Sequence, residues 1–430
     1  MGNEITIAEL NVKLKQNTCA FLVGNGFSMN FDSDFADIYS RLYTSHKDVL
    51  HKTIYDVNAE NNNFTKKYKR NYKLVIQHLR NISEAQLLGI FEDALIFAEH
   101  VRSDNQIVKS LWDSGKISKL TFGLSEIDIL NSICEVGRDK GIKYVNIENW
   151  TILIYFYFAI KSLDAQDFQF PNQNSFITVV EKGNTNFIRL IPEDPVFENV
   201  ITNGFATYYR MLFSVAIFAQ GKAMDTSLLE NINDLNIPSI KEFLNKFDTL
   251  ISLNYDSIME SVAAKPVEHL HGEYVKGKKE YTLHQSLGMK FNDEYVSFSD
   301  LLIGDYFIFK TRLHISNVLS SIRNPLNKQT SYSSKNLELI VQKKRIDTIV
   351  IFGMNIENDQ HVLRNIMLSF YEAKQTNPEI IYCYFSPQEK EEFGKEFDEV
   401  ITFSEEVSQY SKNIKVSCIR TQDVLKEFFK

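Results

Sequence analysis

Apolar residues recur along this chain in two rhythms, and the change between them divides it. Short, largely apolar runs, four of them stopped by glycine, asparagine or histidine, predict strands at 19–23, 249–253, 267–270, 346–352, 380–385 and 414–419. A run with no polar alternation suits a parallel strand covered on both faces. From Phe31 to about Phe247 the spacing is instead helical. Ser83 and Gln86 form a capping-box pattern ahead of Leu87, Leu88, Phe91, Leu95 and Ile96, which predicts a helix to about His100. Further helices are expected at 5–17, 66–79, 105–112, 125–136, 147–163 and 205–218, with an irregular crossing over the Asn-, Gln- and Pro-bearing stretch 168–195. The expected fold is α/β, a Rossmann-like and mostly parallel sheet built from 1–30 and 248–430 and interrupted by a large helical insertion at 31–247.

Ligands of an open parallel sheet bind beyond the carboxyl ends of its strands, so the residues that end these runs are the ones to read for chemistry. They are Gly24-Asn25-Gly26-Phe27-Ser28, Asn254-Tyr255-Asp256, His271-Gly272 and Gly353-Met354-Asn355. Two glycines after the first run permit positive φ and close approach to a phosphate, whose charge the dipole of a following helix favours. The same pattern also serves any tight strand-to-helix turn. Asn254 to Asp256 reads equally as an Asx-capped turn, and Asn358 with Asp359 as a cap for the helix carrying Val362, Leu363 and Ile366, with a ribose contact from Asn355 or Asn358 as the functional alternative. Of the two histidines His269 and His271, which share a face if the strand continues, one is available for a structural role. His271 is the preferred chemical one, because glycine follows it.

Composition narrows the classes. Apolar residues make up 44% and charged ones 24%, a globular profile, and a net charge of -8 argues against direct nucleic-acid binding. Cys19, Cys134, Cys383 and Cys418 lie singly, without the paired spacing of a zinc site or a disulfide framework. The apolar windows 152–160 and 211–219 fall short of the roughly 18 residues a membrane span needs. With no leader-like N-terminal segment, the expected location is the cytoplasm. The aromatic residues Tyr155, Phe156, Tyr157, Phe158, Tyr208, Tyr209, Phe213 and Phe218 read as helix core rather than as a stacking platform.

GNGFS at 24–28, SLNYD at 252–256, HLHG at 269–272 and FGMNIENDQH at 352–361, each following a predicted strand, together resemble the sirtuin-like NAD-binding domains. Within them they resemble the bacterial branch associated with NAD depletion in antiphage defence, to which FEDAL at 91–95 is also similar. The helical segment is resembled only loosely. The resemblance implies an NAD+ glycohydrolase that releases nicotinamide and ADP-ribose. The toxicity of unregulated NAD+ loss, with the extra helical mass, leads to the expectation of regulation through a homo-oligomer or an activating partner protein. It implies that Gly24, Asn25, Gly26 and Ser28 line the pyrophosphate and that Gly353, Asn355 and Asn358 lie on the adenosine side. Asn254 would hold the ribose or position water, Asp256 would shape that loop or orient the nicotinamide, and His271 would be the general base. Protein-deacylating relatives carry a four-cysteine zinc module and a GIPDFR-like segment, and this chain has neither, so no zinc and no cofactor beyond NAD+ as substrate are expected. An NAD- or ADP-ribose-sensing module without turnover is the alternative, with protein deacylation third.

Overall fold

Thr6 and Glu9 cap each other's backbone amides, the reciprocal box that starts helix Ile7–Gln16 just ahead of the first long strand. A computed structural model describes residues 2–51, 55–59, 63–117, 125–163, 168–185, 189–277, 285–291, 294–298, 333–357, 359–400 and 405–430. Asn358 lies outside the described residues. The chain divides into two compact units, Met1–Ile38 with Ile217–Tyr274 and Gln329–Lys430, and Tyr39–Ala216 with Val275–Lys328.

The first unit holds a seven-stranded parallel sheet. Its strands are β1 (Asn3–Glu4), β2 (Cys19–Val23), β3 (Thr249–Ser252), β4 (Glu268–His269), β5 (Thr348–Phe352), β6 (Glu379–Tyr384) and β7 (Lys415–Arg420). Their spatial order is β1-β7-β6-β5-β2-β3-β4. From β2 the chain winds one way through β3 and β4, then returns to the other side of β2 and winds outward through β5, β6 and β7. The expected α/β architecture with a parallel, Rossmann-like sheet is therefore present.

Side-chain alternation sorts the central strands into two faces. Ala20, Leu22, Ile251, Ile349, Ile351, Ile380 and Tyr382 share an aliphatic core with Leu363, Ile366, Met367 and Phe370 of helix Gln360–Glu372. On the opposite face Phe21 meets Phe243, Phe247 and Phe352 at ring separations of 5.5, 4.7 and 5.8 Å, while Phe243 stacks on Phe428 at 4.2 Å. Because both faces are covered, every residue of β2, β5 and β6 is buried, which is why their sequences carry no polar alternation.

Those aromatic contacts also explain a departure from the expected boundaries. Residues 217–247 belong with the sheet unit, not with a helical insertion at 31–247, because Phe243 and Phe247 complete its aromatic face. Conversely Val275–Lys328 belongs with the helical unit, where Gln285–Phe291 pairs antiparallel with both Tyr55–Ala59 and Glu294–Phe298. That sheet was not expected from the sequence.

In the second unit the Ser83 box is formed as predicted, and its helix runs on from Glu84 to Ser103. Ser125 caps Glu126–Asp139 in the same way. The buried helix expected at 147–163 is shorter, Ile152–Ser162, after a run of turns. The stretch expected to be irregular contains helix Ser175–Lys182, because the Asn174 side chain accepts the Ile177 amide and stops being a loop residue. Tyr155 to Phe158, Tyr208, Tyr209 and Phe213 are buried core, as their spacing suggests. Among the described residues no helix is long and apolar enough to cross a membrane.

Candidate functional site

The order β5-β2-β3-β4 brings four carboxyl ends side by side, so the turns at 353–355, 24–28, 254–256 and 270–273 line one edge of the sheet unit. Winding reverses between β2 and β5, which makes this edge the place where such sheets hold ligands.

Glycine at the first turn answers a need different from the expected one. Gly24 has φ -106°, and neither it nor Gly26 is among the glycines with positive φ. Both are required by contact between two backbones. A Cβ on Gly24 would lie 2.6 Å from the Gly353 carbonyl oxygen, and one on Gly26 2.7 Å from the Gly353 Cα. The turns are tied by Gly24 N–H to Phe352 O at 3.0 Å and Gly26 N–H to Gly353 O at 2.8 Å. The Gly26 amide is thus committed inside the protein. Positive φ occurs instead at Gly353 (+63°) and Gly272 (+99°). Gly353→Ala combines that strain with a Cβ 2.7 Å from Gly26 C and Phe27 N. It is expected to destabilise the protein by about 2 kcal/mol, read as a lower thermal midpoint.

Ser28 ends the four-residue helical turn Asn25–Ser28 and is fully buried, so it does not line an open pyrophosphate groove as expected. It joins a buried network instead. Its hydroxyl donates to Asp256 Oδ2 at 2.7 Å and accepts from Asn254 Nδ2 at 2.8 Å. Asn254 Nδ2 also donates to Gly24 O at 3.1 Å, and the Asn254 amide donates to Ser252 Oγ at 3.0 Å. Asp256 Oδ1 accepts the Ile258 amide at 3.1 Å, which sets the start of helix Ile258–Ala263. Burial pushes the Asp256 carboxyl up to about 6, against the lowering pull of Ser28 and the Ile258 amide. The Asx-turn reading of this loop is therefore met, with Asp256 accepting the amide two residues on.

The two histidines separate clearly. His269 has a side chain only 3% exposed, with Nδ1 2.8 Å from Asn254 O and Nε2 2.8 Å from Glu260 Oε1. Glu273 Oε2 lies 3.9 Å from the same Nε2. Burial disfavours the charged ring, but the Glu260 hydrogen bond and charge, helped by Glu273 and the Asn254 carbonyl, leave its pKa above the ordinary value. His271 is half-buried at the end of β4 beside the Asn254 turn. At the far side of the edge, Asn355 is exposed and its Oδ1 accepts the Glu357 amide at 3.1 Å. Asp359 stands at the N-cap of Gln360–Glu372, but its side chain makes no capping bond and its carbonyl accepts the Val362 amide.

The sheet unit thus brings together Gly24, Asn25, Gly26, Ser28, Asn254, Asp256 and Gly353, with His271 on the adjacent strand end and Asn355 further along. Sequence reasoning missed Glu260 and Ser252. Glu260 falls one helical turn past the Asp256-capped start, a position that points back at its own loop. The donor set is carboxylates, amides and imidazoles, with no thiolate: all four cysteines are buried, and burial holds the Cys19 thiol at about 12. Asp32 is a structural anchor the sequence did not reveal: it is buried, pairs with Lys222 at 2.8 Å and accepts the Glu230 and Asp34 amides.

An open parallel α/β sheet with polar turns gathered at its switch point is the class that fold and site define. Compared with known proteins, the chain matches no family model, no curated protein and no solved structure.

Proposed function

We propose that the protein is a sirtuin-like NAD+ glycohydrolase that hydrolyses the nicotinamide–ribose bond to give nicotinamide and ADP-ribose, working as a regulated antiphage effector. The observation that carries this reading is the convergence of Gly24 to Ser28, Asn254 to Asp256, His271 and Gly353 on one carboxyl edge at the point where the sheet reverses. Cleavage of the glycosidic bond leaves an oxocarbenium-like ribose that needs a held sugar and a positioned water. Asn254, whose amide protons are donated to Gly24 and Ser28, keeps its Oδ1 fixed in direction for a ribose hydroxyl or that water. His271, half-buried at the neighbouring strand end, is the base that takes a proton from water or a ribose hydroxyl. Asn355 is the residue this reading assigns to the adenosine side. Toxicity of unregulated NAD+ loss requires that activity wait for assembly or a partner protein.

Incubation of the purified protein with NAD+ and chromatography of the products tests this. Equal amounts of nicotinamide and ADP-ribose are expected; intact NAD+ in every oligomeric and partner-bound preparation would overturn it. One observation favours a second reading, a sensing module that binds NAD or ADP-ribose without turnover: the Gly26 amide and both Asn254 amide protons are already spent within the protein. Calorimetric binding of NAD+ with no products over hours is its expected outcome. Nicotinamide release that depends on an acyl-peptide would instead identify a deacylase.

A further inference from the structure

His269 and Glu260 belong to no role assigned above, and their bonds define one. The Asn254 carbonyl can only accept, so the His269 Nδ1 at 2.8 Å carries a proton. Glu260 Oε1, on helix Ile258–Ala263, also accepts at 2.8 Å from Nε2, so that nitrogen carries a proton too. The ring is an imidazolium with both donors engaged and no lone pair to offer. It is therefore neither a general base nor a metal ligand in this state, although Glu260, His269 and Glu273 lie within 4.8 Å of one another. What the ring does is hold a backbone. Apart from it, among the described residues the Asn254 carbonyl has only a 3.4 Å contact with the Ser252 hydroxyl.

We propose that His269 is a positioning residue, which Glu260 holds and which in turn fixes the Asn254 backbone, and so aims the Asn254 side chain at the carboxyl edge. This rests on the glycohydrolase reading for its consequence in catalysis, but not for its structural content. The helix that carries Glu260 starts from the Asp256 carboxylate, so loop, helix and strand β4 close into one ring of bonds: Asp256 to Ile258, Glu260 to His269, and His269 back to Asn254. Strand β4 has only two paired residues, Glu268 and His269, and this ring adds a side-chain tie to β3 beyond their short ladder.

The test compares wild type, His269→Gln, His269→Asn and Glu260→Ala for kcat and KM with NAD+, and for hydrogen exchange of the peptide spanning 252–258. An asparagine amide reaches the place of Nδ1 and restores the donor to the Asn254 carbonyl; a glutamine amide reaches the place of Nε2 and does not. His269→Gln and Glu260→Ala are expected to lower kcat by about 10- to 100-fold with KM little changed, and to speed exchange across 252–258. His269→Asn is expected to recover most of both. Equal loss in the Gln and Asn variants, or a change confined to KM, would overturn the proposal. So would Zn2+ or Mn2+ binding to wild type that is lost in Glu260→Ala and needed for activity, since the ring would then be a ligand. If wild type does not cleave NAD+, the glycohydrolase reading fails, and exchange alone decides the positioning role by the same Gln-against-Asn contrast.

Discussion

His271→Ala is expected to lower NAD+ turnover by about 100- to 10,000-fold, the contribution of a positioned proton-transfer group, while the protein stays folded. The two halves of that expectation have separate grounds. His269 is excluded as the base because both of its nitrogens donate to acceptors. His271 sits half-buried at the end of the adjacent strand, outside the fully buried core of the sheet, so its truncation leaves that core intact. Asn254→Ala should abolish turnover as well, with a different stability signature. It strips a donor from the buried Ser28 hydroxyl and from Gly24 O, a loss of about 1–3 kcal/mol. Turnover by single-turnover kinetics and unfolding by calorimetry on the same preparations check both. Activity retained in both variants would place the chemistry elsewhere.

Acidification from pH 7.5 to pH 4 should stabilise wild type relative to Asp256→Asn by up to about 3 kcal/mol. The carboxyl is raised from 3.8 to about 6 in the folded protein, chiefly by burial. Above pH 6 it is ionised in both states, and the folded state carries the whole cost of a buried charge. Between about 6 and 3.8 the folded form takes up a proton that the unfolded chain does not yet bind, so this group's contribution to stability rises as pH falls. Below 3.8 both states are protonated and the difference is complete, which at 1.36 kcal/mol per pKa unit gives the stated figure. Asparagine cannot titrate, so the difference in stability between the two proteins, followed against pH, isolates Asp256. A flat difference would mean that the carboxyl is ionised without strain.

The sheet was legible because burial on both faces leaves a plain imprint: β2, β5 and β6 are apolar from end to end, and the turns that stop them are the residues that meet at the edge. Strand order was not legible, yet it decides which turns are neighbours. The Gly24 and Gly26 pattern read as room for a phosphate, whereas the room is filled by the backbone of residues 353 and 354; a partner so far along the chain leaves no local trace. Ser28 shows the same limit. Its place after the glycine turn suggested a ligand contact, and only the approach of Asn254 and Asp256 turns it inward. Tyr55–Ala59 alternates apolar and polar residues, but over only five positions inside a helical stretch the rhythm was too short to read, and the segment takes its form from pairing with Gln285–Phe291. Helix Ser175–Lys182 was hidden by Asn174, a residue type that marks loops and helix caps alike.

β2 lies between β3 and β5, and one of its two neighbours is made early in the second half of the chain and the other late. At about 5–20 residues per second of synthesis, β2 waits on the order of tens of seconds on the ribosome before Thr348–Phe352 emerges to complete its pairing. Until then the Gly24 turn lacks the backbone it locks against. A nascent or prematurely terminated chain that lacks Thr348–Phe352 therefore cannot assemble the edge on which the proposed hydrolysis depends.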